Sequence, residues 1–467
     1  MNRNNIFIHL ALALVLILVA AFAGQLSRWR KQWRSHVGPI PATEKKRATT
    51  TEEIALNENR FGRPEVLVKF KSGVSQETIE RLTALRHDRV EDRIENVEGL
   101  EAIDDLDNAD AATVVSEYQQ LAEVEYAEPN FEIELDAAEA AGPLVPILPH
   151  DPQFTDQWAL ANSGQRGGKQ GADISATLAW ATTTGSDKVV VAVLDSGVDY
   201  THEDLIQNMW MRPASMAPYH DNELGTIDDE NGFDAIDSAG DPMDENGHGT
   251  HCAGIIGAEG ENNIGIAGVN WKVKIMPLKF MNAGGFGTTK DAIEAINYVI
   301  DRKKAGVNVR IISASWGSTQ RSRALGDVIR KAYENDILFI AAAGNASTNN
   351  DRTPHYPSSY PNVLSVAALD RHDELAKFSN YGVKSVAIAA PGVEILSTWL
   401  GNAYEEKSGT SMATPVVSGV AALILAEHPR MSVDDLKKKL LASTDPVAVL
   451  KGKTVTGGRI NAAKALE

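Results

Sequence analysis

Apolar runs of four to seven residues alternate with longer helical stretches from residue 188 onward. Residues 188–194 read Lys-Val-Val-Val-Ala-Val-Leu, a continuity typical of a parallel strand buried on both faces. Helical stretches at 289–304 and 324–334 separate later runs of the same kind. Those runs occupy 275–278, 309–312, 337–343, 363–367 and 386–389. The alternation predicts an α/β domain in which helices flank a parallel β-sheet.

A smaller domain is predicted at 62–135, ahead of this sheet. Residues 66–70 alternate in polarity like a strand, and helices are expected to start after the capping residues Ser75 and Asp110. Further strand-like runs give the order β-α-β-β-α-β, which is typical of a ferredoxin-like α+β domain. Residues 136–149 are rich in Ala, Pro and Gly and are predicted to form a cleavable linker.

The first 24 residues are predicted to be a signal peptide or a signal anchor. Residues 6–24 are nearly all apolar and end in a small-x-small pattern suited to signal-peptide cleavage. The stretch is also long enough to span a bilayer, but a basic cluster directly after it would hold the following chain in the cytosol. We therefore expect secretion, with a membrane-anchored protein as the alternative. Residues 25–61 are predicted to be a linker.

Charge and composition exclude some classes of function. The net charge is −18, and residues 91–139 alone hold 17 acidic residues against one basic residue. Since no basic stripe of the kind that binds phosphate occurs, we expect no nucleic-acid partner. No predicted strand leads into a Gly-x-Gly-x-x-Gly turn, which disfavours dinucleotide binding. Cys252 is the single cysteine, so no intrachain disulfide can form.

A serine before a long apolar stretch is the first candidate for chemistry. Ser411 lies in the sequence Gly-Thr-Ser-Met-Ala-Thr-Pro, which leads into the apolar residues 416–426. The pattern predicts a helix that starts beside Ser411, with Pro415 in its first turn. Free N–H groups and the positive end of the helix dipole would stabilise an oxyanion there. Taken alone, such a motif is more often an N-capped helix start.

Three further polar residues stand where strands end or a helix begins. Asp195 and Asn345 each follow an apolar run, and His248 lies between glycines before an apolar helix. A zinc pair of His248 and His251 is disfavoured, because helical zinc histidines are usually four residues apart with a glutamate between them. With Ser411 the three residues match a nucleophile, a base, an orienting carboxylate and an oxyanion donor. Their order along the chain excludes the α/β-hydrolases.

These motifs resemble those of the subtilisin-family serine endopeptidases. The resemblance covers 150–467, and the domain at 62–135 is similar to the subtilisin prosegment. It implies that Ser411 is the nucleophile, that His248 is base and then acid, and that Asp195 orients the imidazole. Asn345 and the N–H of Ser411 would form the oxyanion hole. The motifs are Asp195-Ser-Gly-Val-Asp199, His248-Gly-Thr-His251, Ala342-Ala-Gly-Asn345 and Gly409-Thr-Ser-Met-Ala413, and Cys252 is similar to the thiol of the thermitase-like and proteinase K-like group.

The same resemblance implies how substrate and prosegment bind. Ser315, Trp316 and Gly317 would pair with an extended polypeptide substrate, and Trp316 would wall the primary specificity pocket. Ala342 and Gly344 would also contact substrate. The chain would be made as a self-processing zymogen whose own prosegment is an intramolecular inhibitor.

A structural calcium ion is also implied by the resemblance. Hard oxygen ligands from separate segments suit calcium, and an ion that binds only the folded chain would stabilise a protein without disulfides. The implied ligands are Asp151, Asp204, the side chain of Asn262 and the backbone carbonyls near Gly260, Ile264 and Ile266.

The sequence therefore predicts a secreted, calcium-stabilised serine endopeptidase with an Asp-His-Ser triad. The alternative from another class is a membrane-tethered, non-catalytic binding module of the same fold. Hydrolysis of a protein substrate by the processed chain would separate the two.

Overall fold

The computed structural model describes residues 65–94, 97–107, 109–130, 145–221 and 224–467. The predicted signal sequence at 1–24, the linker at 25–61 and residues 131–144 lie outside these ranges. Contacts divide the chain into two units with the boundary after Glu139, and each unit is described by itself.

The described part of the N-terminal unit is an antiparallel sheet with two helices. The elements are β1 (Glu65–Phe70), α1 (Gln76–Ala84), β2 (Asp88–Arg93), β3 (Leu100–Asp105), α2 (Ala111–Gln119) and β4 (Val124–Pro129). The strands lie in the order β2-β3-β1-β4, and all neighbouring strands are antiparallel. This arrangement confirms the predicted ferredoxin-like α+β fold.

Both helices of this unit start at the predicted capping residues. The side chain of Ser75 accepts a hydrogen bond from the N–H of Thr78, and Asp110 accepts one from Thr113. Each cap satisfies a backbone donor that the first helical turn leaves free. Tyr118 on α2 packs into the same core as the apolar side chains of β1.

The C-terminal unit is built around a nine-stranded sheet. The strands of this unit are β5 (Gly185–Asp195), β6 (Tyr219–Asp221), β7 (Gly225–Ile227), β8 (Phe233–Asp234), β9 (Lys272–Lys279), β10 (Val309–Ala314), β11 (Leu338–Ala342), β12 (Val363–Leu369), β13 (Ile388–Pro391), β14 (Ile395–Trp399), β15 (Ala403–Lys407), β16 (Thr444–Pro446) and β17 (Gly458–Ile460). The helices are α3 (Ala176–Ala179), α4 (His248–Gly257), α5 (Thr289–Lys304), α6 (Arg323–Glu334), α7 (Thr410–Glu427), α8 (Val433–Ala442) and α9 (Ala462–Leu466).

The sheet has the order β16-β17-β13-β12-β11-β10-β5-β9-β8. Every neighbouring pair from β17 to β8 is parallel, and β16 joins the edge as an antiparallel strand. The predicted parallel sheet flanked by helices is therefore confirmed. The carboxyl ends of β5, β10 and β11 lie side by side, which brings Asp195 and the residues after β10 and β11 to one edge.

Helix α7 is the centre of the main core. Its length and apolar composition would also suit a membrane span, but 83% of it is buried within the unit, and it is the one such helix among the described residues. Pro415 lies at the sixth helical position, which corrects the prediction that it belongs to the first turn. Because proline has no N–H, the carbonyl of Ser411 lacks its helical partner. That carbonyl accepts instead from Ser315 Oγ at 2.7 Å and from Cys252 Sγ at 3.6 Å.

The last residues of the predicted linker are attached to the C-terminal unit. The N–H of Ile147 donates to the carbonyl of Thr177 at 2.9 Å, and Pro149 is buried. His150 is bonded to Glu261 through both its backbone N–H and its ring. A cut that releases this unit without breaking these contacts must fall before Ile147.

Candidate active site

An aspartate and a histidine meet at the carboxyl edge of the sheet. Asp195 is the last residue of β5, and His248 is the first residue of α4. His248 Nδ1 lies 2.7 Å from Asp195 Oδ1, and Asp195 is only 1% exposed. The same carboxylate oxygen accepts the N–H of Ser196 at 2.8 Å. A buried carboxylate in this position fixes the orientation and the tautomer of the imidazole.

The environment of His248 favours its protonated form. Burial lowers the pKa of His248, but the charge and hydrogen bond of Asp195, together with the charge of Asp244, outweigh burial and raise the pKa above its ordinary value. An imidazolium that forms here would therefore be stabilised by two carboxylates.

Asp244 holds the start of the helix that carries His248. One carboxylate oxygen accepts the N–H groups of Asn246 and Gly247, and the other accepts the N–H and the hydroxyl of Thr250. Gly247 has a φ of 97°, and a Cβ on it would lie 2.5 Å from the indole of Trp399, so only glycine fits. Asp244 is not among the site residues predicted from the sequence. Its signal was an acidic residue four positions before the candidate base.

Ser411 is the second residue of α7 and lies beside this pair. Cys252 Sγ connects the two parts of the site, because it contacts the carbonyl of Ser411 and lies within 4.8 Å of ligand atoms of both Asp195 and His248. Ser411 Oγ donates to the carbonyl of Ser315 at 2.9 Å. Among the described hydrogen bonds none joins Ser411 to His248, so the hydroxyl proton of Ser411 must leave the carbonyl of Ser315 before His248 can take it.

Two N–H donors converge beside Ser411. Asn345 Oδ1 accepts from the N–H and the hydroxyl of Thr410, which orients the amide so that Nδ2 is free to donate elsewhere. A Cβ built on Gly409 would lie 3.5 Å from both Asn345 Nδ2 and the backbone N of Ser411. The positive end of the α7 dipole adds to these donors. The arrangement suits an oxyanion that forms next to Ser411.

The predicted substrate-binding residues follow β10 and β11. Ser315 bonds to Ser411 in both directions, as described above, while Ala342 and Gly344 lie at the neighbouring strand end. The indole of Trp316 donates to the carbonyl of Leu194 and packs on Phe280, with ring centroids 4.8 Å apart. Trp316 therefore packs toward β5. That Trp316 walls the primary specificity pocket stays a prediction.

The residues predicted to bind calcium lie in three segments that pack together. Asp151 accepts the N–H groups of Glu261 and Asn262 at 2.8 and 3.1 Å. Asp204 accepts the side-chain amide of Asn262 at 2.8 Å and the N–H of Ile266 at 3.0 Å. Gly260 and Ile264 belong to the same loop as Asn262 and Ile266.

The donor chemistry of this cluster fits a hard divalent cation. Asp151 and Asp204 are 4% and 0% exposed, and in the described part of the chain their hydrogen bonds come from N–H groups and the hydroxyl of Tyr404, without a lysine or arginine. Burial raises the pKa of Asp204 to about 6, and the charge of Asp151 adds to this. Asn262 Oδ1 accepts the N–H of Ile264, which leaves the second lone pair of this oxygen for an ion.

The fold is that of a serine endopeptidase, and Asp195, His248 and Ser411 lie where such an enzyme needs them. Residues 186–460 match the subtilase family, and the chain belongs to that family. Residues 48–130 match the fervidolysin N-terminal prodomain. Both findings confirm the resemblance that the motifs carry.

Similar proteins that this chain matches over nearly their whole length support the same assignment. The chain is 33% identical to a thermophilic serine proteinase of Bacillus sp. (strain AK1) over 89% of this chain and 91% of that protein. It is 33% identical to thermitase of Thermoactinomyces vulgaris over 68% of this chain and 99% of that protein. A solved protease of Pseudoalteromonas arctica PAMC 21717 has a TM-score of 0.56 and 28% identity, covering 68% of this chain and 98% of that one.

Proposed function

We propose that this subtilase is a secreted endopeptidase that hydrolyses polypeptides through Asp195, His248 and Ser411. The observation that carries the proposal is the 2.7 Å contact between His248 Nδ1 and the buried Asp195. His248 lies on α4, and Cys252 of the same helix contacts the backbone carbonyl of Ser411. A base held by a carboxylate beside a serine on a helix start is the arrangement that acyl transfer requires.

In this mechanism Ser411 Oγ attacks the scissile carbonyl and His248 Nε2 takes its proton. Asp195 stabilises the imidazolium, and Asn345 Nδ2 with the N–H of Ser411 binds the oxyanion. His248 then gives the proton to the leaving amine, and water releases the acyl group by the same steps in reverse order. The prodomain match supports synthesis as a zymogen, and the apolar residues 6–24 support export.

Labelling and hydrolysis test the proposal together. The processed protein should degrade casein and should react with a fluorophosphonate at Ser411, located by mass spectrometry of the labelled peptide. A folded, processed protein that does neither would be the membrane-tethered binding module instead.

Replacement of Asn345 by alanine is expected to lower kcat by about 10²–10³-fold and to leave KM nearly unchanged. The reason is that the amide binds an oxygen whose negative charge develops only in the transition state. Steady-state kinetics on a peptide substrate measure kcat and KM separately. Asn349→Ala in the same loop is the matched control, since its side chain bonds to the N–H of Asp351. Wild-type kcat in Asn345→Ala would remove Asn345 from the mechanism.

We also propose that Asp151, Asp204 and Asn262, with carbonyls near Gly260, Ile264 and Ile266, hold a structural calcium ion. Calcium would neutralise two buried carboxylates, and it would link the segments that contain them.

Calcium is then expected to raise the melting temperature of the processed protein. By mass action, free calcium at about 100 times its Kd adds about 2.7 kcal/mol to the free energy of unfolding. Thermal melts with calcium and with chelator measure the difference. Asp204→Ala should abolish the response, while Asp237→Ala, at an exposed site in another loop, should keep it. Equal melting temperatures with calcium and with chelator would rule out the site.

A further inference from the structure

A tryptophan outside the catalytic cluster covers the start of the helix that carries His248. Trp399 is the last residue of β14. A Cβ built on Gly247 would lie 2.5, 2.6 and 2.8 Å from Cζ2, Cε2 and Cη2 of its indole. The ring centroid of His251 on the same helix lies 6.2 Å from that of the indole. The backbone directly before the base therefore contacts a ring to which the mechanism gives no part.

The two residues before Trp399 bind the beginning of the same helix. Ser397 Oγ donates to the carbonyl of His251, and Thr398 Oγ1 donates to the carbonyl of Thr250, each at 2.8 Å. Both hydroxyl-bearing residues are fully buried, so water does not compete for these hydrogen bonds. The place of the indole relative to α4 is thus fixed by its neighbours along the strand.

The partner strand β15 extends these contacts toward Ser411. β14 and β15 pair as an antiparallel hairpin, and the carbonyl of Glu405 on β15 lies 2.9 Å from His251 Nε2. Lys407 Nζ lies 4.1 Å from the centre of the Trp399 ring, which is a cation–π contact. β15 ends at Lys407, and Ser411 follows four residues later on α7. One hairpin therefore contacts the helix of the base and leads into the helix of the nucleophile.

We infer that Trp399 is a positioning residue for His248. Its indole fixes the backbone of Gly247, and through it the place of the imidazole between its carboxylate and the nucleophile. The three atoms nearest to a Cβ on Gly247 all belong to this indole. The inference rests on the proposed function, because it takes His248 as the base.

Loss of the indole would affect catalysis through geometry. Gly247 has a φ of 97° and no side chain of its own, so the start of α4 could shift into the space that the ring leaves. A displacement of about 1 Å at a catalytic group can lower the rate by about 10²-fold. A longer separation of His248 from Asp195 would also weaken the interaction that raises the pKa of His248. A ring that only stabilises the fold would produce neither effect.

Kinetics of substitutions at residue 399 test the inference. Trp399→Ala should lower kcat by about 10- to 100-fold and change KM by less than about threefold, because the substrate contacts are not altered. Its kcat/KM should also decrease at a lower pH than in the wild type, since the pKa of His248 is raised less. Trp399→Phe keeps an aromatic ring against Gly247 and should recover most of kcat, with Trp399→Leu between the two. Should the alanine variant not fold, the leucine and phenylalanine variants carry the comparison.

Controls separate positioning from stability and from the proposed function. Rates are expressed per active site, titrated to completion with a fluorophosphonate, so that a smaller folded fraction does not count as slower catalysis. Tyr333→Ala is the matched control, because this half-buried ring also lies under a lysine, with Lys437 Nζ 5.9 Å from its centre. It should keep the wild-type kcat and pH dependence even if its melting temperature falls.

Two results would overturn the inference, and they differ in what they say of the proposed function. Trp399→Ala with a lower melting temperature but with wild-type kcat and pH dependence would remove the positioning role and leave the proposed function standing. A folded, processed wild type that neither reacts with a fluorophosphonate nor cleaves a peptide would overturn both.

Discussion

Replacement of Ser411 by alanine will lower kcat by about 10⁶-fold and will leave the precursor uncut, because no other group can form the acyl-enzyme. The substitution should preserve the fold, since the one described hydrogen bond that it removes is that from Ser411 Oγ to the carbonyl of Ser315. The carbonyl of Ser411 keeps its contacts with Ser315 and Cys252. An inactive but folded precursor is therefore the expected product.

Processing is measured by the mass of the protein expressed alone. The wild type should appear as the peptidase domain, with its new amino terminus before Ile147, whose N–H is bonded to Thr177. Ser411→Ala should remain full length until wild-type enzyme is added. Ser408→Ala is the matched control, because this hydroxyl accepts the N–H of Glu394 in the hairpin before α7. Full processing of Ser411→Ala in isolation would disprove self-cleavage.

The sheet and its helices could be predicted because their signals are local. The run at 188–194 falls inside β5, and the helical stretch at 289–304 coincides with α5. Ser75 and Asp110 mark their helices because a cap acts on a donor three residues away. In each case the residues that make the pattern are also the residues that make the contact.

Other parts of the site could not be predicted because they depend on contacts between distant segments. His355 lies between Gly317 and Gly344, and nothing in its own neighbourhood in sequence indicates this. The packing of Trp316 on Phe280 could not be predicted for the same reason, since Phe280 follows another strand. Pro415 was assigned to the first turn because the sequence does not show that Ser411 has side-chain partners in place of the missing N–H. The catalytic motifs are recognisable, but the shape of the pocket depends on tertiary packing.

Replacement of Asp195 by asparagine is expected to lower kcat by about 10⁴-fold at neutral pH while keeping the volume of the side chain. An amide that donates to His248 Nδ1 would favour the tautomer whose Nε2 carries the proton, and that nitrogen could not accept the proton of Ser411. Because Nδ2 would then occupy the place of Oδ1, the hydrogen bond from the N–H of Ser196 would be lost, and the free energy of unfolding is expected to fall by about 1 kcal/mol.

The pH dependence of this variant identifies the role of the carboxylate. His248 must be neutral to act as a base, and its pKa is raised, so wild-type kcat/KM should fall as the pH drops through a value above the ordinary 6.5 of histidine. Without the charge of Asp195, burial lowers the pKa of His248 and only Asp244 opposes it. In Asp195→Asn the decrease of kcat/KM at acid pH should therefore occur at a lower pH than in the wild type, and the maximal kcat/KM should be smaller. Asp241→Asn, at an exposed carboxylate bonded to Tyr200, should keep both the maximal kcat/KM and the pH of the decrease. An unchanged pH of the decrease in Asp195→Asn would mean that Asp195 does not control the ionisation of His248, whatever its effect on kcat.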